Sequence, residues 1–445
     1  MMKDKITKKT TASFVAGGMG YHLFVGMITS YLMIFYTDVF GITTVAVGTL
    51  FLIARVWDAA NDPIIGILVD KAPKTRMGKF RPFILWAAVP FSVFATLCFY
   101  APDLSPAGKL VYVYITYIGY GMLYTIFEVP YMALATSLTQ NTEERGVLIS
   151  IARSTQIVAA AIAILAFLPL VGLFGGENLK QGYLMTASVY GAIAMMTFFI
   201  TFAGTREEVT SISSERFSVG QILNVFRFNK PLWIITIVLL MQIFNEIALV
   251  SGTYFAAYCL GAINLYTPLV AVATGSMVIG AVTAPFFSKL CGGKKRLFIY
   301  SRILRIIFLS VWFLVGYESL LFVYLLTGIC FFLSGNSLPI ISTMFTECIE
   351  YNQWKTGQRK EGLILSIHSS AWKIVSAISG ALLAVLLAKY GYVPNQEQTE
   401  LVKTVIFSTQ TLLIAMGSVL SIIAMLFYPL TEERHREITL KLDEN

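Results

Sequence analysis

The sequence predicts an all-α polytopic membrane protein with twelve transmembrane helices, and three observations indicate this fold class. Of the 445 residues, 56% are hydrophobic and 13% are charged, whereas soluble domains carry about 25% charged residues. Apolar runs of about 20 residues recur along the whole chain, and each is long enough to cross a hydrocarbon core of roughly 30 Å. Lysine and arginine gather on alternate loops between these runs, as they do in membrane proteins.

The predicted helices form two blocks of six. Their approximate bounds are 12–37, 44–70, 80–101, 108–133, 147–173, 182–204, 231–257, 264–288, 296–316, 320–345, 362–390 and 403–428. We expect an N-terminal six-helix bundle at 1–204, a central loop at 205–230, a C-terminal six-helix bundle at 231–430 and a charged tail at 431–445. The basic start MMKDKITKK leads directly into a full-length span, so no cleavable leader is expected.

The basic loops set the expected orientation. Loops at 70–81, 288–296 and 352–362 are rich in lysine and arginine, whereas the loops on the opposite side carry almost none. Because basic loops stay in the cytoplasm, both termini and the central loop are expected there. The net charge of +8 follows from this orientation, so a lipid bilayer is the expected partner and a nucleic acid is not.

The two blocks resemble each other. A basic, glycine-containing hairpin follows the second helix of each block, TRMGKFRPF at 75–83 and CGGKKRLF at 291–298. Two six-helix repeats joined by a long link are the organisation of the major facilitator fold, whose substrate site lies near the bilayer midplane between the halves. This organisation predicts a transporter, although a fold alone names no substrate.

Few ionisable residues interrupt the predicted spans. Each costs roughly 2.5–3.5 kcal/mol to insert, so such residues usually face an interior and mark a transport pathway. The alternative for each one is a buried ion pair that fixes helix packing. The main candidates are His22, Arg55, Asp58, Asp62, Glu128, Arg153, Glu246 and Lys373.

The second predicted helix places two carboxylates on one face. Asp58 and Asp62 are four residues apart and Asn61 lies between them, so all three project from adjacent positions. Two carboxylates about 6 Å apart repel by roughly 3 kcal/mol at an effective dielectric constant near 20. A proton or a small metal ion such as Na⁺ relieves that repulsion, and the Asn61 amide oxygen is a hard ligand that suits Na⁺. The alternative is that Arg55 neutralises the pair.

The fourth predicted helix carries YTIFEVPY, with groups that suit a polar solute. The rings of Tyr124 and Tyr131 offer flat faces for the C–H side of a sugar, Glu128 can accept hydrogen bonds from hydroxyl groups, and Thr125 offers a hydroxyl group. Helix packing is the alternative explanation for the aromatic residues.

Three further residues are candidates with less support. Arg153 and Lys373 either balance the acids or hold a carboxylate of the ligand, and His22 either titrates or donates a hydrogen bond. For Glu246 the structural and functional explanations stand equal. The five cysteines show no metal-binding spacing.

Several segments together resemble one family. FYTDVFG (35–41), ARVWDAANDPIIGILVDK (54–71), GKFRPF (78–83), YTIFEVPY (124–131) and FYPLTEERHREI (427–438) are similar to segments of the glycoside–pentoside–hexuronide:cation symporters, the melibiose-permease branch of the major facilitator superfamily. The resemblance covers nearly the whole chain. It implies a sugar or glycoside symporter in a bacterial inner membrane that works by alternating access and needs no cofactor.

The resemblance also implies site residues. Asp58, Asn61, Asp62 and Thr125 match the family's site for the coupling ion, which is Na⁺, Li⁺ or H⁺. Glu128, Arg153 and Lys373 match family residues that bind the sugar.

Glu128 is one carbon longer than the aspartate that the family usually has there, and two further positions depart from the family pattern. His22 stands where the family has an acid on the first helix, and Met132 stands where it has an aromatic residue. Losing an acid makes the pocket less negative, which suits a hexuronide or another anionic glycoside.

Other function classes were weighed against this one. The sequence has no HExxH, GxSxG or P-loop motif, so an enzyme or an ATP-driven pump is not expected. A lysolipid transporter, another solute transporter and a non-transporting sensor of the same fold remain alternatives. We expect a monomer that binds a small sugar or glycoside and a monovalent cation.

Overall fold

The computed structural model describes residues 6–139, 141–207 and 219–443. Over these ranges the chain is helical, apart from loops and one isolated β-bridge between Thr75 and Gly78. The chain divides into two compact units, Met1–Ser214 and Glu215–Asn445.

The first unit contains six long helices. They are α1 (Lys8–Ile34), α2 (Thr44–Lys71), α3 (Arg81–Leu97), α4 (Pro106–Leu138), α5 (Thr142–Gly175) and α6 (Leu179–Gly204). Side-chain oxygens of Thr7, Thr43, Ser105 and Asn178 accept hydrogen bonds from the first turns of α1, α2, α4 and α6, so local polar residues fix where these helices begin. Helix α1 packs on α5 and α6, and α4 packs on both α2 and α3.

The second unit contains the remaining helices, two of which are interrupted. They are α7 (Val219–Phe228), α8 (Lys230–Leu240), α9 (Ile243–Tyr254), α10 (Tyr266–Leu290), α11 (Lys294–Val315), α12 (Leu320–Thr356), α13 (Glu361–Lys389), α14 (Glu400–Gln410), α15 (Leu412–Leu426) and α16 (Glu432–Asp443). A break at Met241–Gln242 divides one apolar span into α8 and α9, and a break at Thr411 divides another into α14 and α15.

The helices confirm the predicted fold class. Ten segments of the described chain are long and apolar enough to cross a membrane, with α8–α9 and α14–α15 each counted as one segment. Helix α2, with 28 residues, and the shorter apolar helix α3, with 17 residues, lie outside these ten, and counting them is consistent with the twelve spans expected. Several helices extend beyond the apolar runs that predicted them. Helix α12 was expected to end near 345, but it continues through a polar segment to Thr356.

Two segments expected to be loop or tail contain helices. Within the expected central loop at 205–230, residues 208–218 lie outside the described part of the chain, and α7 occupies Val219–Phe228. The charged tail forms α16, which packs on α12. There His435 pairs with Glu350, and the guanidinium of Arg434 lies 5.4 Å from the centre of the Trp354 ring.

The two units repeat a detail at the end of their first span. Both α1 and α9 continue into a π-helical turn, Phe35–Val39 and Phe255–Cys259. Each turn is followed by a glycine with positive φ, 76° at Gly41 and 82° at Gly261, a conformation that glycine adopts without strain. This repetition supports the resemblance between the two halves seen in the sequence.

Each basic hairpin is held by a carboxylate that follows the last span of its own unit. In the first unit, Glu207 accepts hydrogen bonds from the backbone N–H groups of Lys79 (2.7 Å), Phe80 (2.7 Å) and Arg81 (3.0 Å) at the start of α3. In the second unit, Glu432 accepts a hydrogen bond from the backbone N–H of Lys294 (2.7 Å) at the start of α11. A carboxylate at a helix N-terminus satisfies free N–H groups and interacts favourably with the helix dipole.

Candidate functional site

A hydrogen bond joins α2 to α4 at the proposed cation site. Thr125 on α4 donates its hydroxyl hydrogen to Asp62 Oδ1 on α2 across 2.8 Å, and the Thr125 oxygen also lies 3.2 Å from the Gly121 carbonyl oxygen. Thr125 is only 3% exposed. The structure therefore brings together two residues that lie 63 positions apart in the sequence.

Asp58 also faces α4, one helical turn before Asp62. A β-carbon built on Gly121 would lie 3.0 Å from Asp58 Oδ1, so this carboxylate oxygen rests against bare helix backbone. The other oxygen, Oδ2, accepts a hydrogen bond from Arg55 Nη1 at 3.2 Å. Because the alternative considered from the sequence was that Arg55 neutralises the pair, this contact supports it for Asp58, while Asp62 is bonded to Thr125.

Asn61 completes this face of α2. Its side chain is 4% exposed, and the Nδ2 atom is buried without a hydrogen-bond partner in the described chain. Rotation of the amide by half a turn places Oδ1 at the same buried position. A neutral oxygen there, with the Thr125 hydroxyl and two carboxylates, forms the set of hard oxygen ligands that suits Na⁺.

The described residues were also compared with the side-chain clusters that hold metal ions in proteins. Within the described residues, no group of three or more His, Cys, Asp and Glu side chains is placed to hold a metal ion. The proposed site on α2 and α4 has only two such residues, Asp58 and Asp62.

Aromatic residues connect α1 to α4 beside these acids. The Tyr21 ring is fully buried and lies 4.3 Å from the His22 ring, 5.7 Å from the Tyr124 ring and 5.7 Å from the Tyr131 ring, measured between ring centres. His22 Nδ1 lies 3.2 Å from the Gly18 carbonyl oxygen. When Nδ1 carries the hydrogen and donates it to this carbonyl, Nε2 of the neutral ring is left as an acceptor.

Tyr131 has a position that favours packing over substrate binding. It is 0% exposed, its ring stacks on Phe14 at 4.5 Å, and its hydroxyl group donates to the Phe14 carbonyl oxygen at 2.9 Å. Tyr124 and Glu128, on the same helix, are both half-buried. The assignment of Tyr131 to the substrate site remains a prediction, and this geometry supports the packing alternative.

Arg153 on α5 reaches back towards α4. Its Nη1 donates to Gln156 Oε1 at 3.4 Å, and its Nη2 lies 3.9 Å from the Met132 sulfur atom. The guanidinium is thus next to one of the positions that depart from the family pattern. Lys373 is an exposed residue of α13 in the second unit, so its part in the same site remains a prediction.

Glu246 lies at the interruption of a membrane span. It follows the α8–α9 break and shares one face with Gln242 and Asn245, whose side chains are joined by a 2.6 Å hydrogen bond. Gln242 Nε2 and Asn245 Oδ1 are buried and have no partner in the described chain. Glu246 is half-buried and forms no ion pair with any described residue, which removes the support for a structural ion pair.

Two residues of the site were not predicted from the sequence. Gly121 precedes Thr125 by one helical turn on the same face, and that spacing is a signal that would have found it. Tyr21 gave no such signal, because it is one of 22 tyrosines and its role depends on how α1 and α4 are rotated against each other.

The comparisons with known proteins agree with this architecture. Residues 13–432 match the family described as MFS/sugar transport protein. The chain is 34% identical over 445 residues to the isoprimeverose transporter of Lactiplantibacillus pentosus, covering 96% of this chain and 89% of that protein. It is 30% identical over 433 residues to the putative glycoside/cation symporter YagG of Escherichia coli strain K12, covering 94% and 91%.

A solved structure is similar in fold. The crystal structure of a D-xylose–proton symporter superposes with a TM-score of 0.61 at 14% identity, covering 94% of this chain and 96% of that one. Identity this low supports the fold alone.

The fold and the relatives define a polytopic secondary active transporter of the major facilitator superfamily. The chain belongs to the MFS/sugar transport protein family and, within it, to the glycoside–pentoside–hexuronide:cation symporters, as its motifs predicted. As a member of this family, the chain is a secondary transporter of the sugar-transport class. The relatives therefore favour this function over the lysolipid-transporter and sensor alternatives.

Proposed function

We propose that Asp58, Asn61, Asp62 and Thr125 bind the coupling cation between α2 and α4. The observation that carries this proposal is the hydrogen bond from Thr125 to Asp62, because it connects the helix with both carboxylates to the helix with the sugar-binding candidates. A bound Na⁺, Li⁺ or H⁺ reduces the repulsion between Asp58 and Asp62 and draws their oxygens towards α4.

Coupling follows from the position of two residues on α4. Thr125 and Glu128 are three residues apart on α4, so the cation and the sugar act on the same helix. A cation that fixes α4 against α2 positions Glu128 for the sugar, and by thermodynamic linkage the sugar raises the affinity for the cation by the same factor. Downhill cation entry then drives accumulation of the sugar.

The substrate we propose is a hexuronide or another anionic glycoside, bound by His22, Tyr124, Glu128 and Arg153 with Lys373. One support is that Glu128 is the single acid among these candidates, since His22 stands where the family has an acid. The other is that the Arg153 guanidinium lies next to Met132. Arginine binds a carboxylate through two parallel hydrogen bonds, which gives both strength and orientation. Glu128 is left to accept hydrogen bonds from the sugar hydroxyl groups.

The experiment is cation-dependent uptake by the purified protein in liposomes. Neutral glycosides and glucuronides are each offered with a sodium gradient or with a proton gradient. We expect uptake of a glucuronide that requires both Asp58 and Asp62, with Asp58→Asn and Asp62→Asn as the variants. Uptake that both variants retain contradicts the cation site, whereas uptake of neutral sugars alone contradicts the anionic substrate and leaves the cation site standing.

A matched pair of variants tests the role of Arg153. Arg153→Gln is expected to lower glucuronide uptake at least about tenfold, since a charge-assisted contact of about 1.5–3 kcal/mol is lost. Arg145→Gln, near the start of the same helix, is the control and should retain uptake. We further propose that the protein acts as a monomer in a bacterial inner membrane with both termini in the cytoplasm, and that it performs no enzymatic reaction.

A further inference from the structure

Two arginines are buried in the middle of a membrane-spanning helix in the second unit. Arg302 and Arg305 lie near the centre of α11, and each is 1% exposed. They are three residues apart, so they share a helix face, and their guanidinium groups interact electrostatically. Both side chains are thus almost entirely enclosed by protein, although arginines in membrane helices usually extend to the interface.

Two of the three guanidinium nitrogens of each arginine lack partners. Nε and Nη2 of Arg302, and Nε and Nη1 of Arg305, are buried and form no hydrogen bond within the described part of the chain. Nε and Nη2 are the edge of a guanidinium that binds an anion through two parallel hydrogen bonds. One face of Arg302 is covered by the Phe298 ring, whose centre lies 5.1 Å away, so this edge is what remains for a ligand.

No carboxylate of the described second unit neutralises the two arginines. Glu347 pairs with Lys294 and Glu350 with His435, and neither arginine forms an ion pair in the described chain. Arginine cannot lose its proton in a protein, so both charges persist. Water can satisfy hydrogen-bond donors, but it leaves two adjacent like charges without a counter-charge in a low-dielectric interior.

The neighbouring helix supplies another donor. Arg305 interacts electrostatically with Cys330 on α12, and Thr327 lies one turn from Cys330 on the same helix. Thr327 is 2% exposed, and its hydroxyl group has no hydrogen-bond partner in the described chain. Helices α11 and α12 pack on each other, so they bring two buried guanidinium groups and a buried hydroxyl group, all with unpartnered donors, into one part of the second unit. Buried cationic donors of this kind suit a small anion.

We propose that Arg302 and Arg305 bind one small monovalent inorganic anion, chloride under cellular conditions, between α11 and α12. The site lies within the second unit and shares no residue with the proposed cation or sugar sites. The anion acts as a structural counter-charge that holds α11 against α12. If the anion has this role, the stability of the transporter should depend on which anion is present at a constant sodium concentration.

Thermal unfolding of the purified full-length protein in detergent tests this proposal. Sodium chloride replaces sodium gluconate stepwise at constant total sodium, so that the cation site experiences no change. The unfolding temperature of the wild type should rise with chloride and then saturate. Arg302→Gln and Arg305→Gln should each weaken the apparent chloride affinity about tenfold or more, whereas Arg296→Gln, an exposed arginine of the same helix, should behave like the wild type.

Binding of radiolabelled chloride to the wild type provides a test that does not depend on variant folding. One chloride per chain, displaced by bromide and not by gluconate, supports the site. The absence of saturable chloride binding by the wild type overturns the proposal. Chloride binding that persists in both arginine variants, or that Arg296→Gln abolishes, also overturns it, because the anion then binds elsewhere.

Discussion

Thr125 on α4 donates a hydrogen bond to Asp62 on α2 across 2.8 Å, and this contact joins the helix with both candidate carboxylates to the helix with Glu128. Thr125→Val keeps the shape of the side chain but removes the hydroxyl group. We expect the cation concentration for half-maximal uptake to rise about tenfold or more, since a hydrogen bond to a charged group contributes about 1.5–3 kcal/mol. The measurement is sugar uptake as a function of cation concentration.

Thr125→Ser is the matched control for that variant, because it restores the hydroxyl group. Its cation dependence should stay within about threefold of the wild type. Equal cation dependence in Thr125→Val and the wild type would falsify a role for this hydroxyl group in ion binding.

Gly121 leaves room on α4 for the Asp58 carboxylate. In Gly121→Ala the new β-carbon would lie 3.0 Å from Asp58 Oδ1, closer than nearly all β-carbon contacts in proteins. The carboxylate must then move away from α4, so we expect the cation affinity measured by the same uptake assay to fall several-fold while the protein remains folded.

Gly66→Ala is the control for this substitution, because a β-carbon at Gly66 on α2 would meet no atom within 4 Å. Alanine is the better helix former of the two residues by about 1 kcal/mol, so this variant should retain cation affinity and full stability. If Gly121→Ala binds the cation as tightly as Gly66→Ala does, Asp58 is not confined against α4.

Glu207 holds the first basic hairpin through three backbone N–H groups. Glu207→Ala removes these acceptors, and loss of a helix cap costs about 0.5–2 kcal/mol. We expect faster amide hydrogen exchange at Lys79, Phe80 and Arg81, measured by mass spectrometry of peptides from residues 75–83. Exchange elsewhere in the first unit should change little.

The control for this experiment is Glu177→Ala, which alters an exposed loop residue. The second hairpin gives an independent check, because Glu432→Ala should accelerate exchange at 291–298 and leave 75–83 unaffected. Acceleration of both hairpins by either substitution would contradict local capping.

Glu246 has no ionic partner in the described chain, so its removal should not destabilise the protein. Glu246→Gln eliminates a partly buried charge, and each kcal/mol gained raises the unfolding temperature of a domain of this size by about 2–4 °C. We expect a small rise in thermal unfolding experiments, accompanied by impaired transport if Glu246 contacts the substrate or ion.

Glu347→Gln is the opposite case, since it breaks an ion pair with Lys294 in which the Glu347 side chain is 6% exposed and the Lys294 side chain 25% exposed. Removing one member of a fully buried pair costs about 3–5 kcal/mol; because water reaches Lys294, the cost here should be smaller, but this variant should still unfold at a lower temperature. A comparable drop in Glu246→Gln would show that Glu246 belongs to an ion pair after all.

Much of the fold could be predicted because its signals are local. Twenty apolar residues in a row identify a span without reference to any other segment, and four-residue spacing places Asp58 and Asp62 on one face. The interruption between α8 and α9 was not predicted, since the surrounding sequence contains no proline or glycine and the polar residues after Met241 are compatible with a continuous helix. Helices α7 and α16 were expected to be loop and tail, because spans were predicted from long apolar runs and these two short helices contain many polar residues.

The partners of the site residues could not be derived from such local patterns. Whether Thr125 meets Asp62 or faces lipid depends on the rotation of α4 about its axis, which is set by packing along its full length. The same limit explains why Arg302 and Arg305 were not predicted as site residues: the sequence does not show which face of their helix is enclosed, and only the arrangement of α11 and α12 shows that both arginines are buried.

The capped hairpins also bear on how the protein is made. Glu207 follows α6 directly, so the first unit contains both the hairpin and its cap before any residue of the second unit is translated. The second hairpin waits for Glu432, 138 residues beyond Lys294. In a ribosome-bound chain that already includes α11, the first hairpin therefore has its carboxylate acceptor, whereas the Lys294 N–H of the second hairpin does not. The second hairpin is stabilised only near the end of translation.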